Sequence, residues 1–345
     1  MRLRRFTAKL PGVAALLAAA AVLIAGSETA REDVTALGAG LRAAGTGSLS
    51  DIGSLSGPGT PAGPAAVRGG AALGSQRPAH GVRARAAAAD PAAWKLVWSD
   101  EFQGPARQRP DGARWVFDRG GEPQWGNHEW QYYTDRPENV SLDGHGHLAL
   151  TARHERLRGM RCGGVGPCDI TSGRIKTKGR FARAYGRFEA RIKVPRGKGT
   201  WPAFWMMGAD SDRVAWPANG EIDVMEALGR QPTTVHGAVH GPGYVAQGIE
   251  RHTEPARGRS LADDFHTYRV DWLPGKITWY VDGRPYGSAS AAQLRRGQKW
   301  VFDHPHYLLL NLAVGGDWPG PPDRSTPFPA PMLVDYVRVY APERR

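Results

Sequence analysis

Three acidic residues lie within the short segment Glu221-Ile-Asp-Val-Met-Glu226. Side chains alternate between the two faces of a β-strand, so Glu221 and Asp223 share one face and Glu226 has the wrong parity to join them. A β-bulge would correct the parity and turn all three carboxylates to one side, with Met225 as the natural extra residue. Two such carboxyl groups are what a retaining glycosidase needs. The segment therefore predicts the catalytic strand of a glycosidase.

The alternative is that the three acids lie on the solvated face of a helix. Such a helix would carry an apolar stripe at positions three and four apart. Here Ile222, Val224 and Met225 are interleaved with the acids, and two of these three residues are β-branched, which favours a strand. Gly220 and Gly229 bracket the run. We therefore predict a strand over residues 220–227.

The elements that position this strand lie in the C-terminal part of the chain. After Phe6 there is no Phe, Tyr or Trp until Trp94, and all 12 tryptophans lie between Trp94 and Trp318. A segment rich in Ala, Gly, Pro and Ser cannot bury enough surface to offset the entropy of the chain. We predict a disordered linker or pro-segment over residues 28–92 and one catalytic domain over residues 93–345.

The chain opens with features of an export signal. Positive residues come first, at Arg2, Arg4, Arg5 and Lys9. Residues 13–25 then form an apolar core that is short for a membrane span, and small residues follow where a signal peptidase would cut. We predict a signal peptide over residues 1–27 and a secreted protein. An uncleaved anchor with the linker as a stalk, and twin-arginine export, are the alternatives.

The distribution of charge limits the kinds of partner that we expect. The formal net charge is +12, five of these charges lie in residues 1–92, and the remaining surplus is spread without Lys/Arg clusters. This distribution argues against a nucleic-acid partner. We also expect a monomer without a stable membrane partner.

The two cysteines, Cys162 and Cys168, flank a Gly-rich stretch. In an exported protein we expect them to form a disulfide that closes a surface turn. A reactive thiol or a metal pair is the alternative.

Past residue 92 the alternation of apolar and polar residues repeats with a period of two. Residues 185–195 show this pattern, and residues 266–272 and 276–281 repeat it around a Pro-Gly turn before the hairpin signal Asp282-Gly283. Further strands are predicted at 95–99, 147–153, 172–181, 202–208, 220–227, 234–239, 307–313 and 332–340. Short strands without helical periods predict an all-β fold, a two-sheet antiparallel β-sandwich of jelly-roll, concanavalin-like type with a concave substrate cleft.

Residues 94–341 resemble glycoside hydrolase family 16, specifically its bacterial laminarinase-like (endo-β-1,3-glucanase) branch. The motifs that carry the resemblance are Trp98-Ser-Asp-Glu-Phe102, Gln131-Tyr-Tyr-Thr-Asp-Arg-Pro-Glu-Asn-Val140, Ser172-Gly-Arg-Ile-Lys-Thr-Lys-Gly179, Trp201-Pro-Ala-Phe-Trp-Met206, Glu226-Ala-Leu-Gly-Arg-Gln-Pro232, Val235-His-Gly-Ala-Val-His-Gly-Pro-Gly-Tyr244, Phe302-Asp-His-Pro305, Asn311-Leu-Ala-Val-Gly-Gly316 and Val334-Asp-Tyr-Val-Arg-Val-Tyr340.

The resemblance implies a role for each acid. Glu221 would be the nucleophile, Glu226 the acid/base and Asp223 the residue that holds the nucleophile in its state, with no cofactor for catalysis. The extra residue, Met225, marks the laminarinase-like form and is absent from the dedicated lichenase form. The implied activity is retaining endo-hydrolysis of β-1,3-glucan, with β-1,3-1,4-glucan as a further substrate. A β-glucan transglycosylase and a non-catalytic β-glucan-binding domain are the alternatives.

The resemblance also implies residues that bind substrate. Asn139 and Arg174 would bind sugar hydroxyls, and His240 would be the cleft histidine beside the acid/base. Trp201 and Trp216 flank the acidic strand and suit a platform on which sugar rings stack, with core packing as the alternative. Three other tryptophans lie in cleanly alternating strands and are predicted to belong to the core: Trp205, Trp272 and Trp279.

A structural calcium is a further implication of the resemblance. Asp335 shares a strand face with Leu333, Val337 and Val339, so we expect its carboxylate to be buried and to need a partner. Family members hold a calcium on the convex side with the matching aspartate and backbone oxygens, and Gly146 would contribute here. Calcium prefers such oxygen ligands. A salt bridge to Arg338 is disfavoured because that side chain has the opposite parity.

Overall fold

A computed structural model describes residues 93–343, except 122, 124, 162–167 and 253–258, and only the backbone of residues 245–252. The predicted signal peptide and linker, residues 1–27 and 28–92, lie outside the described residues. Within the described part, no helix is long and apolar enough to cross a membrane.

The described residues form 17 strands and one short 3-10 helix, Ala291–Gln293. The strands are β1 Trp94–Asp100, β2 Val116–Phe117, β3 Gln131–Tyr133, β4 Val140–Leu142, β5 Leu148–His154, β6 Ile170–Ser172, β7 Arg174–Lys176, β8 Gly186–Lys193, β9 Thr200–Gly208, β10 Glu221–Ala227, β11 Thr234–Gly241, β12 Tyr244–His252, β13 His266–Leu273, β14 Lys276–Val281, β15 Arg284–Ser290, β16 His306–Val314 and β17 Ala330–Pro342.

These strands form two sheets. The larger sheet has the order β15-β14-β13-β8-β17-β5-β6-β3, with β1 paired to β17 and β4 paired to β5. The smaller sheet has the order β12-β11-β10-β9-β16-β7-β2 and carries the acidic strand near its middle. All described strand pairs are antiparallel except β3 with β6. The predicted all-β, two-sheet jelly roll is confirmed.

The core lies between the two sheets. On β8 the buried residues alternate with half-buried ones, because Phe188, Ala190 and Ile192 face the smaller sheet. Trp272 and Trp279 are fully buried in this core, as predicted. Trp205 is not part of it. It belongs to a separate apolar cluster with Ala203, Tyr307, Leu309 and Met207.

Candidate active site

A bulge in β10 brings the three acids to one face of the smaller sheet. Their partners on β9 are two residues apart, in the order Met207, Trp205 and Ala203 for Glu221, Asp223 and Glu226. Residues two apart on a regular strand share a face, so the acids share it too. The strand and the predicted bulge are therefore confirmed by the strand register. The register against β11 shifts at the same place, between Asp223 and Glu226.

The bulge differs in one detail from the prediction. Met225 pairs with Phe204 of β9, and the residue without a partner on that strand is Val224. Both Val224 and Met225 are fully buried towards the core. Two consecutive residues therefore face inwards at the bulge, which is what moves Glu226 to the same side as the other acids.

Contacts from the other sheet surround this bulge. The indole of Trp279 donates to the backbone oxygen of Asp223 at 2.7 Å. Gly237 of β11 leaves the space for it, since a Cβ at Gly237 would lie 2.5 Å from the Trp279 ring. A buried carbonyl without a partner would be costly. The core tryptophan thus stabilises the distorted backbone that positions the acids.

A loop over residues 209–219 covers the start of β10. Its two ends are joined by a hydrogen bond from Gly208 N to Gly220 O at 3.1 Å. A Cβ at Gly208 would lie 2.0 Å from Asn219 O, so only glycine permits this close approach. The loop carries Trp216, whose side chain is 45% exposed and reaches back over the acidic row.

Each of the three acids has one nitrogen donor of its own. The indole of Trp216 donates to Glu221 Oε2 at 2.7 Å, and the indole of Trp201 donates to Glu226 Oε1 at 3.0 Å. His240 Nε2 lies 2.9 Å from Asp223 Oδ2 and 4.0 Å from Glu221 Oε1. The ligand-type atoms of Glu221, Asp223 and His240 lie within 4.8 Å of one another, the one such group of His, Cys, Asp and Glu in the described residues. The His240–Asp223 hydrogen bond accounts for this closeness.

The surroundings of the acids shift the pKa values of Glu221, Glu226 and His240. Burial, and then the charge of Asp223, raise the pKa of both Glu221 and Glu226. Burial alone would lower the pKa of His240, but the hydrogen bond to Asp223 and the nearby negative charges raise it to about 9. A cation therefore stands beside Asp223 and 4.0 Å from Glu221 at neutral pH. It lowers the pKa of both glutamates, but the charges of Asp223 and Glu221 together raise the pKa of Glu226. The pKa of Glu221 is raised to about 8 and that of Glu226 well above its usual value, so Glu221 is the first of the two to ionise.

The structure places most of the predicted substrate-binding residues on the acidic face. Trp201 and Trp216 lie beside the acids as predicted, although their indole nitrogens contact the carboxylates. His240 also lies on this face, but the prediction of its neighbour was wrong. It stands opposite Glu221, and the histidine opposite Glu226 is His236. His236 Nε2 is 2.8 Å from Gln231 Oε1, and its ring packs on Trp318 at 4.9 Å.

Arg174 lies on the same face, at the β7 side of the sheet. Its register partner is Asn311, which pairs in turn with Ala203 on β9. The guanidinium lies between two indoles, 4.7 Å from the centroid of Trp125 and 4.9 Å from that of Trp205. An ion pair of 3.0 Å joins its Nε to Asp118. These contacts hold the side chain in one orientation on the acidic face.

Asn139 does not reach the cleft, and its predicted role in binding hydroxyls is corrected. The residue is fully buried. Its Nδ2 donates to Thr151 O at 3.0 Å and to Thr171 Oγ1 at 2.9 Å, and its Oδ1 accepts from Thr134 Oγ1 at 2.5 Å. All its polar atoms are thus satisfied inside the protein. Asn139 ties the loop before β4 to β5 and β6.

Three tryptophans of this face were not predicted to lie there. Trp205 was assigned to the core, yet it has the same parity as Trp201 on the regular strand β9, and its Nε1 donates to Asn311 Oδ1 at 2.7 Å. That parity was the available signal. Trp125 and Trp318 come from loops, for which the sequence offers no period that could place them.

The expected calcium site does not fit the residues present. A bulge between Val334 and Tyr336 leaves Asp335 without a register partner, so its carboxylate turns away from the core instead of being buried. There its Oδ2 accepts from Arg191 Nη1 at 2.7 Å. Gly146 precedes β5, whose Leu148 pairs with Val334, and offers only its backbone. A divalent cation here would meet the guanidinium of Arg191 first.

The alternative partner for Asp335 is also settled by these contacts. Arg338 makes a bidentate ion pair with Glu101, at 3.0 and 2.8 Å, and is therefore not the partner of Asp335.

Cys168 takes part in a disulfide. Cys162, the only other cysteine of the sequence, lies outside the described residues.

The comparison with known proteins agrees with this site. The model of the family described as Glycosyl hydrolases family 16 matches residues 127–336. A beta-glucanase of Rhodothermus marinus is 42% identical over 258 residues, covering 72% of this chain and 85% of the relative. Glucan endo-1,3-beta-glucosidase A1 of Niallia circulans is 37% identical over 271 residues, covering 72% of this chain, and the chain spans only 38% of that protein.

Solved structures show the same relationship. The laminarinase catalytic domain from Thermotoga maritima MSB8 has 43% identity and a TM-score of 0.66, and the match covers 73% of this chain and 99% of that one. The endo-beta-1,3-glucanase from Pyrococcus furiosus has 47% identity and a TM-score of 0.66, over 72% of this chain and 94% of that one. A jelly roll with three acids on one face of its smaller sheet, together with these relatives, defines the chain as a glycoside hydrolase. It belongs to glycosyl hydrolase family 16, whose enzymes act with retention.

Proposed function

We propose that this chain is a secreted retaining endo-β-1,3-glucanase of the laminarinase type. The observation that carries the proposal is the shared face of Glu221, Asp223 and Glu226, each with its own nitrogen donor. We assign Glu221 as the nucleophile, Glu226 as the acid/base and Asp223 as the residue that controls the charge between them. The reaction itself needs no cofactor in this assignment.

The reaction would proceed by double displacement. The carboxylate of Glu221 attacks the anomeric carbon while Glu226 gives its proton to the glycosidic oxygen, and the bond between that carbon and the leaving oxygen breaks. A glycosyl ester on Glu221 results. Water then attacks the anomeric carbon, Glu226 takes a proton from that water, and the ester bond electrons return to Glu221. The product keeps the β configuration.

The substrate class is proposed from the relatives. Three of them are described as a glucan endo-1,3-beta-glucosidase, a laminarinase and an endo-beta-1,3-glucanase. Another solved relative, 38% identical over 74% of this chain with a TM-score of 0.64, is described as a non-specific endo-beta-1,3(4)-glucanase. We therefore propose β-1,3-glucan as the main substrate and mixed-linkage β-1,3-1,4-glucan as a second one. On the cleft floor, Trp201, Trp205, Trp216 and Arg174 would contact the sugars.

A binding protein without catalysis is the contrasting possibility, and one relative of 35% identity over 175 residues is described as a beta-1,3-glucan-binding protein. The presence of both glutamates on one face, each held by an indole donor, favours hydrolysis for this chain. A pure binding surface would not need three carboxylates whose mutual repulsion is costly.

The test is to chromatograph the products released from laminarin, curdlan and barley β-glucan side by side. We expect mixed β-1,3-oligosaccharides of several lengths from laminarin, and fewer products from barley glucan. The matched control is Glu221→Ser, which should release none. Transglycosylation would appear as products longer than the starting oligosaccharide. Binding of laminarin without any release would refute the proposal.

Export, domain organisation and oligomeric state are proposed from the sequence. We propose removal of residues 1–27, a linker over 28–92 and a monomeric catalytic domain over 93–345. Mass spectrometry of the protein from a culture medium would give the mature N-terminus, and light scattering after gel filtration would give the molecular mass. A protein that stays in the cell fraction with residues 1–27 intact would refute export.

A further inference from the structure

The two indole donors meet the catalytic glutamates in different ways. Trp216 comes from an exposed loop and donates to Glu221 Oε2. Trp201 is half-buried on β9, where its ring packs edge-on against Trp318 at 5.2 Å and donates to Glu226 Oε1 at 3.0 Å. Trp201 is therefore held by a regular strand and by a neighbouring ring. Its N–H direction is fixed before any substrate enters.

The contact distinguishes the two oxygens of Glu226. Oε1 accepts the indole N–H, and no other hydrogen bond to this carboxyl group is found among the described residues. A protonated carboxyl group has one O–H donor and one carbonyl acceptor. An indole can only donate, so it favours the carbonyl oxygen at Oε1 and leaves the hydrogen on Oε2. The oxygen that must give up a proton is thereby selected.

We propose that Trp201 is a positioning residue for acid catalysis, which sets Glu226 Oε2 as the oxygen that protonates the leaving group. This inference rests on the proposed function of the site. It gives Trp201 a task beyond stacking on sugar: the proton on Oε2 passes to the glycosidic oxygen as the glycosidic bond breaks, and Oε1 keeps its hydrogen bond throughout. In the second step the same Oε2 takes the proton from water.

A first experiment needs no substrate. In a ¹⁵N–¹H spectrum, the indole N–H resonance of Trp201 should move as Glu226 titrates, because the acceptor changes from a carbonyl to a carboxylate oxygen. The resonance is assigned with Trp201→Phe, and its pH dependence should vanish in Glu226→Gln. A Trp201 resonance that is unaffected by Glu226→Gln would overturn the proposal, whatever polysaccharide the enzyme cleaves.

A second experiment separates acid catalysis from stacking. For Trp201→Phe, kcat/KM on laminari-oligosaccharides should fall about 10- to 100-fold, within the range that proton transfer contributes. On 2,4-dinitrophenyl β-laminaribioside, whose leaving group departs without a proton, it should fall less than about threefold. Equal losses on both substrates would mean that Trp201 only binds sugar, and would overturn the proposal. An unchanged rate on oligosaccharides would do the same.

Trp318→Phe is the matched control, since that residue packs on Trp201 but makes no hydrogen bond to Glu226. Trp318→Phe should change kcat/KM by the same factor on both substrates. If Trp201→Phe does not fold, β-(3-benzothienyl)alanine at position 201 keeps the shape of the indole without its N–H, and the same selective loss is expected. Failure of the proposed function would be seen separately, as a wild-type enzyme that cleaves no β-glucan while the Trp201 resonance still follows Glu226.

Discussion

Asp223 accepts a hydrogen bond of 2.9 Å from His240 in the middle of the acidic row. The pair places a negative charge between the two glutamates proposed to carry out the reaction, and a positive charge opposite Glu221. The negative charge raises the pKa of Glu221 and of Glu226, and the positive charge lowers both. The pH profile should therefore respond in opposite directions when either member of the pair is neutralised.

The first prediction concerns Asp223→Asn. Activity requires Glu221 ionised and Glu226 protonated, so the acid limb of kcat/KM follows Glu221 and the alkaline limb follows Glu226. Loss of the Asp223 charge lowers the pKa of both groups, and both limbs should move to lower pH. The measurement is kcat/KM against pH on laminari-oligosaccharides. A limb that moves to higher pH would contradict the assignment.

The second prediction concerns His240→Gln. Loss of the cation beside Glu221 raises the pKa of that glutamate, so the acid limb should move to higher pH and the enzyme should lose activity first at acidic pH. His147→Gln is the matched control, because His147 also pairs with an aspartate, Asp143 at 2.7 Å, away from the acidic row. The control should keep the wild-type profile. An acid limb that shifts equally in both variants would rule out a local effect.

The third prediction concerns Trp216→Phe. The indole N–H of Trp216 lowers the pKa of Glu221, so its loss should move the acid limb to higher pH while a ring stays in place for the sugar. Trp205→Phe provides the comparison, since its N–H goes to Asn311 and not to an acid. That variant should alter KM without moving the acid limb. If Trp216→Phe changes KM but leaves the acid limb in place, Trp216 only stacks on the sugar and does not affect Glu221.

The fourth prediction concerns Asn139→Ala. Three internal hydrogen bonds would be lost in a fully buried site, at a cost of about 2–4 kcal/mol in the free energy of unfolding. For a domain of this size the melting temperature should fall by about 5–15 °C. KM for laminarin at a temperature well below melting should stay near the wild-type value, because Asn139 does not reach the cleft. A raised KM with normal melting would restore its role in binding hydroxyls.

The fifth prediction concerns calcium. Because Arg191 already neutralises Asp335, the melting temperature should be the same in EDTA and in calcium chloride. Thermal unfolding followed by circular dichroism measures this directly. A melting temperature several degrees higher in calcium would show that the ion displaces Arg191 and that Asp335 is a ligand after all.

Comparison of two bulges shows how far the sequence could predict the site. In β10 three acids out of phase signalled an extra residue, and the shared face followed. The sequence did not show that Val224 is the residue without a partner on β9, nor that Trp279 from the other sheet would bond to the bulged backbone. In β17 only one acid, Asp335, lies in the strand, so there was no second acid whose spacing could reveal the bulge. A buried carboxylate was therefore expected instead.

The alternation of apolar and polar residues predicted where the strands lie better than it predicted which face of the sheet a side chain occupies. Trp201 and Trp205 lie four apart on β9 and must share a face, yet they were assigned to the cleft and the core respectively. The smaller sheet is apolar on both faces around β16, where every residue is buried, so hydrophobicity alone does not separate the two. Asn139 and the indole contacts depend on loops and on atomic distances, which spacing in the sequence does not determine.

The most direct measurement of the central assignment is to trap the covalent intermediate. The enzyme would be incubated with 2-deoxy-2-fluoro-β-laminaribiosyl fluoride, digested and sequenced by mass spectrometry. We expect one added disaccharide on Glu221, and no label in Glu221→Ser. A label on Glu226, or on any other residue, would contradict the placement of nucleophile and acid on the bulged strand.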